Sequence, residues 1–355
     1  MTVFDPNACF GPEQAAAATH RLTTLTAVYD LAVSPATFDI VGFLVLAEHR
    51  RRSLGHEALH VVIAPGPDQG FRKDAVTPYG TIQKRWRRQH ILSACCWLVP
   101  SVTGVTVCGT RYEAGQWLDC VSEGIFPERY TVERPIQQYR LNFLVEAPDV
   151  TGIRASQEAL RHMHAWRDSV AGVREVVTLN LRECDYETAR NSDLAAWGAF
   201  ARQLDPGRFF PVVIRDSDAA YRPLPPAIAG LPRLTEVIWN LDLRTALYEI
   251  AFLNLFVNNG PAALARHNAR ARSLTFKMIT PSAQATTEEF FRANGLHPGD
   301  QFKGLGPGHR FVWQADTLDV LQDEFDAMCR RIDRDPAAAG RGPDPSAANF
   351  QSVEM

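Results

Sequence analysis

A short polar turn in the last third of the chain has the residue types of a phosphate-binding turn. The buried apolar run Leu253–Val257 leads into Asn258-Asn259-Gly260-Pro261, which opens a predicted helix with Ala262. Proline suits a first helical position, and glycine lets a ligand approach the backbone. N–H groups that have no partner at such a helix start favour an anion such as a diphosphate. The same residues are also typical of a tight strand-to-helix turn without a ligand.

Two other features contain residue types that bind metals. The segment from His56 to His60 has the spacing of zinc metalloproteases, which need both histidines on one helical face. Gly55 precedes it, and a β-branched run ending at Pro65 follows it, so we predict a helix-to-strand junction instead. The seven cysteines are an odd number without CxxC spacing, which argues against a disulfide framework and a zinc site. We therefore predict neither a metal nor a cofactor.

The elements that must position these residues alternate between strands and helices. In the first half the predicted strands are Thr26–Val33, His60–Ala64 and Val105–Val107, and the predicted helices are Ile40–Leu54 and His90–Leu98. A strand, a helix and a second buried strand in this order make a βαβ unit with a parallel sheet. Between residues 127 and 149 the alternation is lost, which predicts an irregular connection.

The alternation restarts in the second half, after a predicted helix at Ser156–Ala171. The predicted strands are Glu175–Leu181, Phe210–Ile214, Thr235–Trp239, Leu253–Val257, Leu274–Met278 and Arg310–Trp313, and the predicted helices are Asp193–Gln203, Leu243–Ala251, Pro261–Asn268 and Leu318–Ile332. We therefore predict an α/β protein with two Rossmann-like parallel-sheet domains facing a cleft, residues 1–165 and 166–334. In such sheets ligands bind outside the carboxyl ends of the strands. Residues 335–355 are predicted to be a disordered tail.

The bulk composition is that of an ordinary globular protein. A chain of 355 residues favours two domains. A net charge of -3 gives no reason to expect a nucleic-acid partner, and the GxGxxG fingerprint of a standard NAD enzyme is missing. The sequence shows neither a run of roughly 20 apolar residues nor a secretion signal, so we expect a cytoplasmic protein.

The segment Leu243–Ala265 resembles the donor-site motif of the bacterial heptosyltransferase-like glycosyltransferases, which have the GT-B architecture. That motif is a helix with a Leu-x-Glu pattern, a strand, and a Ser-Asn-Asp-Thr-Gly-Pro-like turn. Leu247-Tyr248-Glu249 and Asn258-Asn259-Gly260-Pro261 match it. This chain departs from the motif in having Asn for the acid and the hydroxyl before Gly260, and Ala263 or Leu264 for a following histidine. The resemblance implies a nucleotide-sugar site in the C-terminal domain, with Glu249 on the ribose or base or merely on the helix surface.

The segment after the predicted strand Glu175–Leu181 resembles the start of the donor domain of the same family. There a basic residue precedes a helix that bears a tryptophan and helps to hold the diphosphate. The match falls on Arg190, before the helix with Trp197, and Arg182 at the strand's end is the alternative. A guanidinium binds phosphate in a bidentate manner and would stabilise the leaving diphosphate without a metal. A surface arginine paired with a nearby acid is the other interpretation of each.

The loop from Ser34 to Asp39 resembles the family's Ser-x-x-Gly-Asp-Val loop, with Phe38 in place of the glycine. The resemblance implies that Asp39 is the catalytic base, with Ser34 and Thr37 on the acceptor side. Asp at a helix start is equally a normal N-cap. The loop that ends at Arg72 follows a strand, so we also expect it to lie on the cleft side and touch the acceptor.

Taken together, the resemblance implies a metal-independent, inverting glycosyltransferase. It would move a sugar from a nucleoside-diphosphate donor to a protein or to a glycan precursor of the cell-surface polysaccharide. The alternative is a nucleotide- or phosphosugar-binding protein on the same scaffold without transferase activity, and the altered donor turn keeps it open. The basic run Lys84–Arg88 fits an anionic acceptor, a peripheral membrane contact or a solvated helix face.

Overall fold

Apolar and β-branched runs in the first half of the chain form one parallel sheet. The computed structural model describes residues 23–73, 79–121, 124–138 and 140–334. The strands of this sheet are β1 (Thr24–Asp30), β2 (Ala58–Ala64), β3 (Val102–Val107) and β4 (Ile125–Phe126). They lie in the order β3-β2-β1-β4, and every neighbouring pair is parallel. Parallel sheets are usually covered on both faces, which explains the nearly continuous apolar sequence of β1 and β2.

The second half forms another parallel sheet. Its strands are β5 (Glu175–Asn180), β6 (Phe209–Ile214), β7 (Leu253–Val257), β8 (Ser273–Phe276) and β9 (His309–Phe311). They lie in the order β6-β5-β7-β8-β9, again all parallel. The predicted α/β architecture with two parallel sheets is therefore confirmed.

Helices connect the strands of both sheets. Their bounds are α1 (Asp39–Leu54), α2 (Thr81–Arg87), α3 (Ala94–Cys96), α4 (Arg111–Asp119), α5 (Leu141–Val145), α6 (Gln157–Val170), α7 (Leu194–Gln203), α8 (Glu236–Trp239), α9 (Leu241–Ile250), α10 (Ala262–Arg266), α11 (Glu288–Ala293) and α12 (Leu318–Arg334). A π-helical stretch, Arg88–Ser93, joins α2 to α3. Polar side chains cap several helix starts, among them Ser156 before α6 and Asn240 before α9. The helix α1 ends at Gly55, whose φ of 73° is the left-handed conformation that favours glycine.

One predicted strand is wrong. Residues Thr235–Trp239 were expected to extend the second sheet, but the segment contains the short helix α8. Its residues Val237 and Ile238 are buried in the core, so tertiary packing overrides their preference for a strand. The predicted tail 335–355 lies outside the described residues.

The two sheets share one apolar core. Ile40 and Leu44 of α1 belong to the same buried cluster as Tyr248 of α9 and Leu264 of α10. The connecting segment is tied to both sides, because Arg154 N–H donates to the carbonyl of Leu98 (2.8 Å) and the N–H of Ile153 to that of His267 (3.0 Å). A continuous core and a satisfied linker backbone hold the two sheets in one orientation. The proposed domain boundary, between residues 165 and 166, falls within α6, which packs on α9.

The Glu249 carboxylate holds this linker by hydrogen bonds, and the pH dependence of stability tests that role. Its Oε1 accepts the N–H of Ala155 (2.7 Å) and Nδ2 of Asn268 (2.8 Å), and burial raises the pKa of the carboxyl above its ordinary 4.5. The folded state therefore holds this proton more tightly than the unfolded chain, so the stabilisation is present at low pH and is lost as pH rises through the raised pKa. Glu249→Gln keeps the accepting oxygen and does not titrate. We expect the free energy of unfolding of this variant, measured with urea, to rise relative to that of the wild type between about pH 4 and about pH 7.

The exposed Glu289→Gln on α11 is the control for this experiment. Its difference from the wild type should change little over the same pH interval. A constant difference between Glu249→Gln and the wild type at every pH would contradict the assignment of a buried, destabilised carboxylate.

Candidate functional site

Each sheet has one strand at which the order of the strands reverses, and the loops after these two strands form the candidate site. In the first sheet this strand is β1, with β2 on one side and β4 on the other, and in the second it is β5, between β6 and β7. Loops that leave such strands in opposite directions open a crevice at the carboxyl edge, where ligands of open parallel sheets bind. Residues 31–38 border the first crevice, and residues 181–193 with 258–261 border the second.

The two crevices meet. A Cβ on Gly260 would lie 2.6 Å from Cδ2 of Phe38, so the phenyl ring is packed directly on the glycine backbone. A second contact joins the ring of Tyr79, after β2, to the ring of Tyr186, after β5, with 6.2 Å between their centroids. Both pairs consist of residues that follow carboxyl ends of strands. The two carboxyl edges therefore face each other across a narrow cleft, as predicted.

Asp39 lies at the first-sheet side of this contact. It is exposed and is the first residue of α1, directly after Phe38. The Thr37 hydroxyl donates a hydrogen bond to its carboxylate. Within the described part of the chain its carboxylate accepts no N–H group of the helix, so the geometry is not that of an N-cap. The exposed carboxylate is therefore held by Thr37 and not by the backbone of α1.

The predicted acceptor-side residues lie together near Asp39. Ser34, Thr37 and Arg72 line one small cavity, to which Tyr79 and Lys84 also contribute. Arg72 Nη1 donates to the carbonyl of Val33 at 3.2 Å, which ties the loop after β2 to the loop after β1. Apolar side chains, among them Phe71, line the cavity together with these polar groups.

A buried ion pair that sequence reasoning missed anchors the loop after β1. Asp30, fully buried at the end of β1, accepts two bonds from the guanidinium of Arg111 (3.0 and 3.1 Å) and one from the Tyr130 hydroxyl (2.6 Å). Burial, with the nearby carboxylate, raises the pKa of Tyr130. The N–H of Ala32 also donates to Asp30, at 2.7 Å. The only sequence signal was an acid at the end of an apolar strand.

The turn 258–261 lies at the second-sheet side of the contact. Asn258 extends the sheet, since its N–H donates to the carbonyl of Phe276 (3.0 Å). Asn259 Oδ1 accepts the N–H of Ala262 (3.2 Å), and Pro261 is the residue before α10. The helix itself has five residues and is shorter than the predicted Pro261–Asn268. A dipole this short attracts an anion only weakly, so cationic side chains must supply most of any affinity for phosphate.

Arg190 reaches this turn. Its Nη2 donates to the carbonyl of Asn258 at 3.0 Å, and its Nη1 lies 2.7 Å from Glu187 Oε2. Its Nε is enclosed and has no hydrogen-bond partner among the described residues. The structure thus brings Arg190 and the turn together, although they are far apart in sequence.

Arg182 has a different position. The residue is 4% exposed, and its guanidinium donates to the carbonyls of Tyr186 (3.1 Å) and Glu187 (3.0 Å) and to Asn191 Oδ1 (2.5 Å). All three acceptors belong to the loop between β5 and α7. Arg182 therefore stabilises the fold of the loop that carries Arg190, and Arg190 in turn contacts Asn258.

The start of α7, at the same edge, is occupied by acids. Asp193 accepts two N–H groups of the first helical turn. The buried Asp316 accepts the N–H of Asp193 and Nε1 of Trp197, both at 2.8 Å, and lies 3.3 Å from Lys277 Nζ. An anion at this helix start would meet two carboxylates, so the turn after β7 is the better phosphate site. Sequence reasoning had selected neither Asp316 nor Lys277.

Glu249 is not brought to the turn. It lies in the last turn of α9, just before the amino end of β7, whereas Asn258 follows the carboxyl end of that strand. Its side chain is 3% exposed, and its carboxylate accepts the N–H of Ala155 in the linker. The structure gives it a role in positioning the two sheets.

The segment from His56 to His60 is a junction between helix and strand, as predicted. The helix α1 ends at Leu54 and β2 begins at Ala58, so the two histidines do not share a helical face. His60 instead stacks on Trp117. The described residues contain no group of three or more His, Cys, Asp or Glu side chains placed to hold a metal ion. None of the described helices has the length and apolar content needed to cross a membrane.

Comparisons with known proteins give a distant likeness. No protein-family model matches the chain, and no curated protein is significantly similar to it. Similar solved structures include a glycosyl transferase family 9 protein from Veillonella parvula (10% identity, 87% of this chain and 89% of that chain, TM-score 0.47). They also include the E. coli ADP-heptose lps heptosyltransferase II (11% identity, 88% and 100%, TM-score 0.48) and an E. coli heptosyltransferase with ADP-2-deoxy-2-fluoro heptose (12% identity, 86% and 99%, TM-score 0.39). The predicted resemblance is confirmed as a distant one, and it carries no conclusion on donor, acceptor or reaction.

The contact between Phe38 and Gly260 can be tested by a double-mutant cycle. Gly260 is not in the left-handed region, so the backbone accommodates an alanine and only the contact with the ring opposes it. We expect Gly260→Ala to lower the free energy of unfolding by about 1–3 kcal/mol, as overpacking does. In a Phe38→Ala background the same change should cost much less, as measured by urea denaturation.

Gly115→Ala on α4 is the control, because its Cβ would meet only Val132, at 4.0 Å. This variant should be as stable as the wild type or slightly more stable. Equal costs of Gly260→Ala in both backgrounds would contradict the contact.

Proposed function

We propose that this protein is a glycosyltransferase that moves a sugar from a nucleoside-diphosphate donor to a glycan or protein acceptor. The observation that carries the proposal is that the two reversal points of the sheets face each other at Phe38 and Gly260. Asp39 stands on one side of that contact, and Arg190 with the turn 258–261 stands on the other. A carboxylate facing a phosphate-binding crevice is the arrangement that transfer from an anionic donor to a hydroxyl requires.

The reaction assigns one role to each side of the cleft. Asp39 takes the proton of an acceptor hydroxyl, whose oxygen attacks the anomeric carbon of the donor sugar. As that bond forms, the bond from the same carbon to the diphosphate oxygen breaks, and the diphosphate leaves with the electron pair. The Arg190 guanidinium, assisted by the turn, stabilises the negative charge that develops on the diphosphate, without a metal. Attack from the side opposite the leaving group inverts the anomeric centre.

The cavity beside Asp39 supplies the acceptor side. Ser34 and Thr37 offer hydroxyls and Arg72 a cation, all within reach of a hydroxylated acceptor. The basic run Lys84–Arg88 borders this cavity through Lys84 and suits an anionic acceptor or an anionic membrane surface that presents it. On this proposal the protein works in the cytoplasm, where nucleotide sugars are found.

One observation favours a second candidate, a nucleotide- or phosphosugar-binding protein without transferase activity. The ring of Phe38 stands where the resembling family has a glycine, and it fills the space against Gly260. An occupied crevice restricts the path from donor to acceptor. Binding without turnover would be the result expected of this alternative.

Asp39→Asn tests the proposed base. The substitution keeps the size of the side chain and removes the proton acceptor, so the initial rate of transfer or of donor hydrolysis should fall by about 10²–10⁴-fold. Donor affinity should stay the same, because Asp39 faces the acceptor side. The measurement is turnover of a panel of sugar nucleotides, with binding of the active one followed by calorimetry. Asp319→Asn, exposed on α12, is the control, and an unchanged rate in Asp39→Asn would remove Asp39 as the base.

Two methionine variants separate the roles of the arginines. We expect Arg190→Met to weaken donor binding by about tenfold or more, since it removes a charge-assisted hydrogen bond but leaves the loop fold largely intact. Arg182→Met removes three hydrogen bonds that hold the loop, so it should lower the free energy of unfolding by about 1–3 kcal/mol. Calorimetry and urea denaturation of both variants check this. The reverse pattern would make Arg182 the donor ligand.

A further inference from the structure

The carboxyl edge of the second sheet holds buried positive charge that its carboxylates do not fully neutralise. The guanidiniums of Arg182 and Arg244 belong to residues only 4% and 5% exposed. Neither has a carboxylate oxygen within 4.0 Å among the residues that the structure describes. Arg190 and Arg215, by contrast, are each paired with a glutamate, at 2.7 and 2.6 Å.

One carboxylate acts on both unpaired guanidiniums. Asp216, just after β6, is within electrostatic range of Arg182 and Arg244, and both oppose the rise that burial causes in its pKa. Its own close contacts are the N–H of Glu183 (2.8 Å) and Sγ of Cys184 (3.5 Å). Two guanidiniums against one carboxylate leave one positive charge uncompensated. Such a charge is costly to bury unless an anion completes the site.

Arg244 is the better candidate of the two to receive that anion. Arg182 donates its hydrogen bonds to oxygens of the loop that follows it, whereas Arg244 is hydrogen-bonded to neutral side chains. Its Nε donates to the Tyr248 hydroxyl at 2.7 Å, and its Nη2 lies 3.4 Å from Asn180 Oδ1. The Tyr248 hydroxyl in turn donates to the same oxygen at 2.6 Å. Within the described residues Nη1 has no hydrogen bond, so the guanidinium is oriented and still has a donor to give.

The position of Arg244 leads to the same crevice as Arg190. Asn180 is the last residue of β5, the strand at which the order of the second sheet reverses, and it pairs with Phe256 of β7. Arg244 lies in the first half of α9, the helix that packs against α10. Independently, Arg190 Nε is enclosed without a partner beside Asn258. Two guanidiniums from different elements thus lie at the crevice between β5 and β7, and that of Arg244 keeps a donor that the described residues do not use.

We propose that Arg244 directly binds one phosphate of the donor's diphosphate, with Tyr248 and Asn180 holding its guanidinium in place. The proposal rests on the function proposed above and adds a ligand to its donor side. A diphosphate fits better than a single phosphate, because two arginines on different elements offer one cation to each phosphoryl group. The anion would supply the negative charge that Asp216 alone does not.

Inorganic pyrophosphate is the probe, since it needs no knowledge of the base or the sugar. We expect the wild type to bind it, more weakly as salt is added, and Arg244→Met to lower the affinity by about ten- to hundredfold in calorimetry. Arg244→Lys should recover part of the loss, because it keeps the charge but not the planar fork. The matched control is Arg161→Met, an exposed arginine of α6 paired with Glu158, which should bind like the wild type.

Stability without ligand separates binding from a structural role. Removal of an uncompensated buried charge should leave the urea midpoint of Arg244→Met unchanged or raised. A lowered midpoint with undiminished pyrophosphate affinity would make Arg244 a structural residue and overturn the proposal. Absence of pyrophosphate binding by the wild type would overturn it as well.

Turnover of sugar nucleotides tests the transferase proposal separately from the binding role of Arg244. Binding that depends on Arg244, with no turnover of any sugar nucleotide, would support the subsite and reject the transferase. Sugar transfer with an unchanged donor KM in Arg244→Met would support the transferase and reject Arg244 as a ligand.

Discussion

The packing of the Phe38 ring on the backbone of Gly260 sets the dimensions of the whole site. A side chain at position 260 would collide with the ring, so the two carboxyl edges can approach this closely only because the residue is a glycine. Behind the contact, the apolar core shared by α1, α9 and α10 holds the sheets against each other. In front of it, Asp39 and Arg190 are held at either side of one narrow gap. The chemistry of the cleft therefore depends on a contact between two uncharged residues.

Acidic and basic side chains occupy separate places at the carboxyl edge of the second sheet, and the net charge of the chain does not show this separation. The chain as a whole is slightly acidic, at -3. At the start of α7, Asp193 and Asp316 fill the N-terminal positions and exclude an anion. At the neighbouring crevice stand Arg190 and Arg244, and within the described residues Nη1 of Arg244 has no hydrogen-bond partner. On the proposed function, this distribution of charge would direct an anion to the crevice and away from the start of α7.

Sequence patterns predicted the features that depend on neighbouring residues. They failed for features that depend on contacts between residues far apart in the chain. The strand β7 has the predicted bounds because five consecutive apolar residues end in a polar turn. Thr235–Trp239 has equal strand character, but burial of its side chains against other elements makes it helical. The choice between Arg182 and Arg190 stayed open because it depends on which carbonyls the folded loop presents. The ion pair of Asp30 joins residues 81 positions apart in sequence, which no spacing rule anticipates.

The Phe38 ring fills space beside the turn, and magnitudes show whether it would exclude a donor from it. On the proposed function a diphosphate at the turn gains charge-assisted hydrogen bonds from two arginines, together worth about 3–6 kcal/mol. Moving a half-buried ring off Gly260 costs a strained rotamer, about 0.5–1.5 kcal/mol, and roughly 1–2 kcal/mol of apolar contact. The gain exceeds the cost, so the ring by itself does not exclude a diphosphate from the turn.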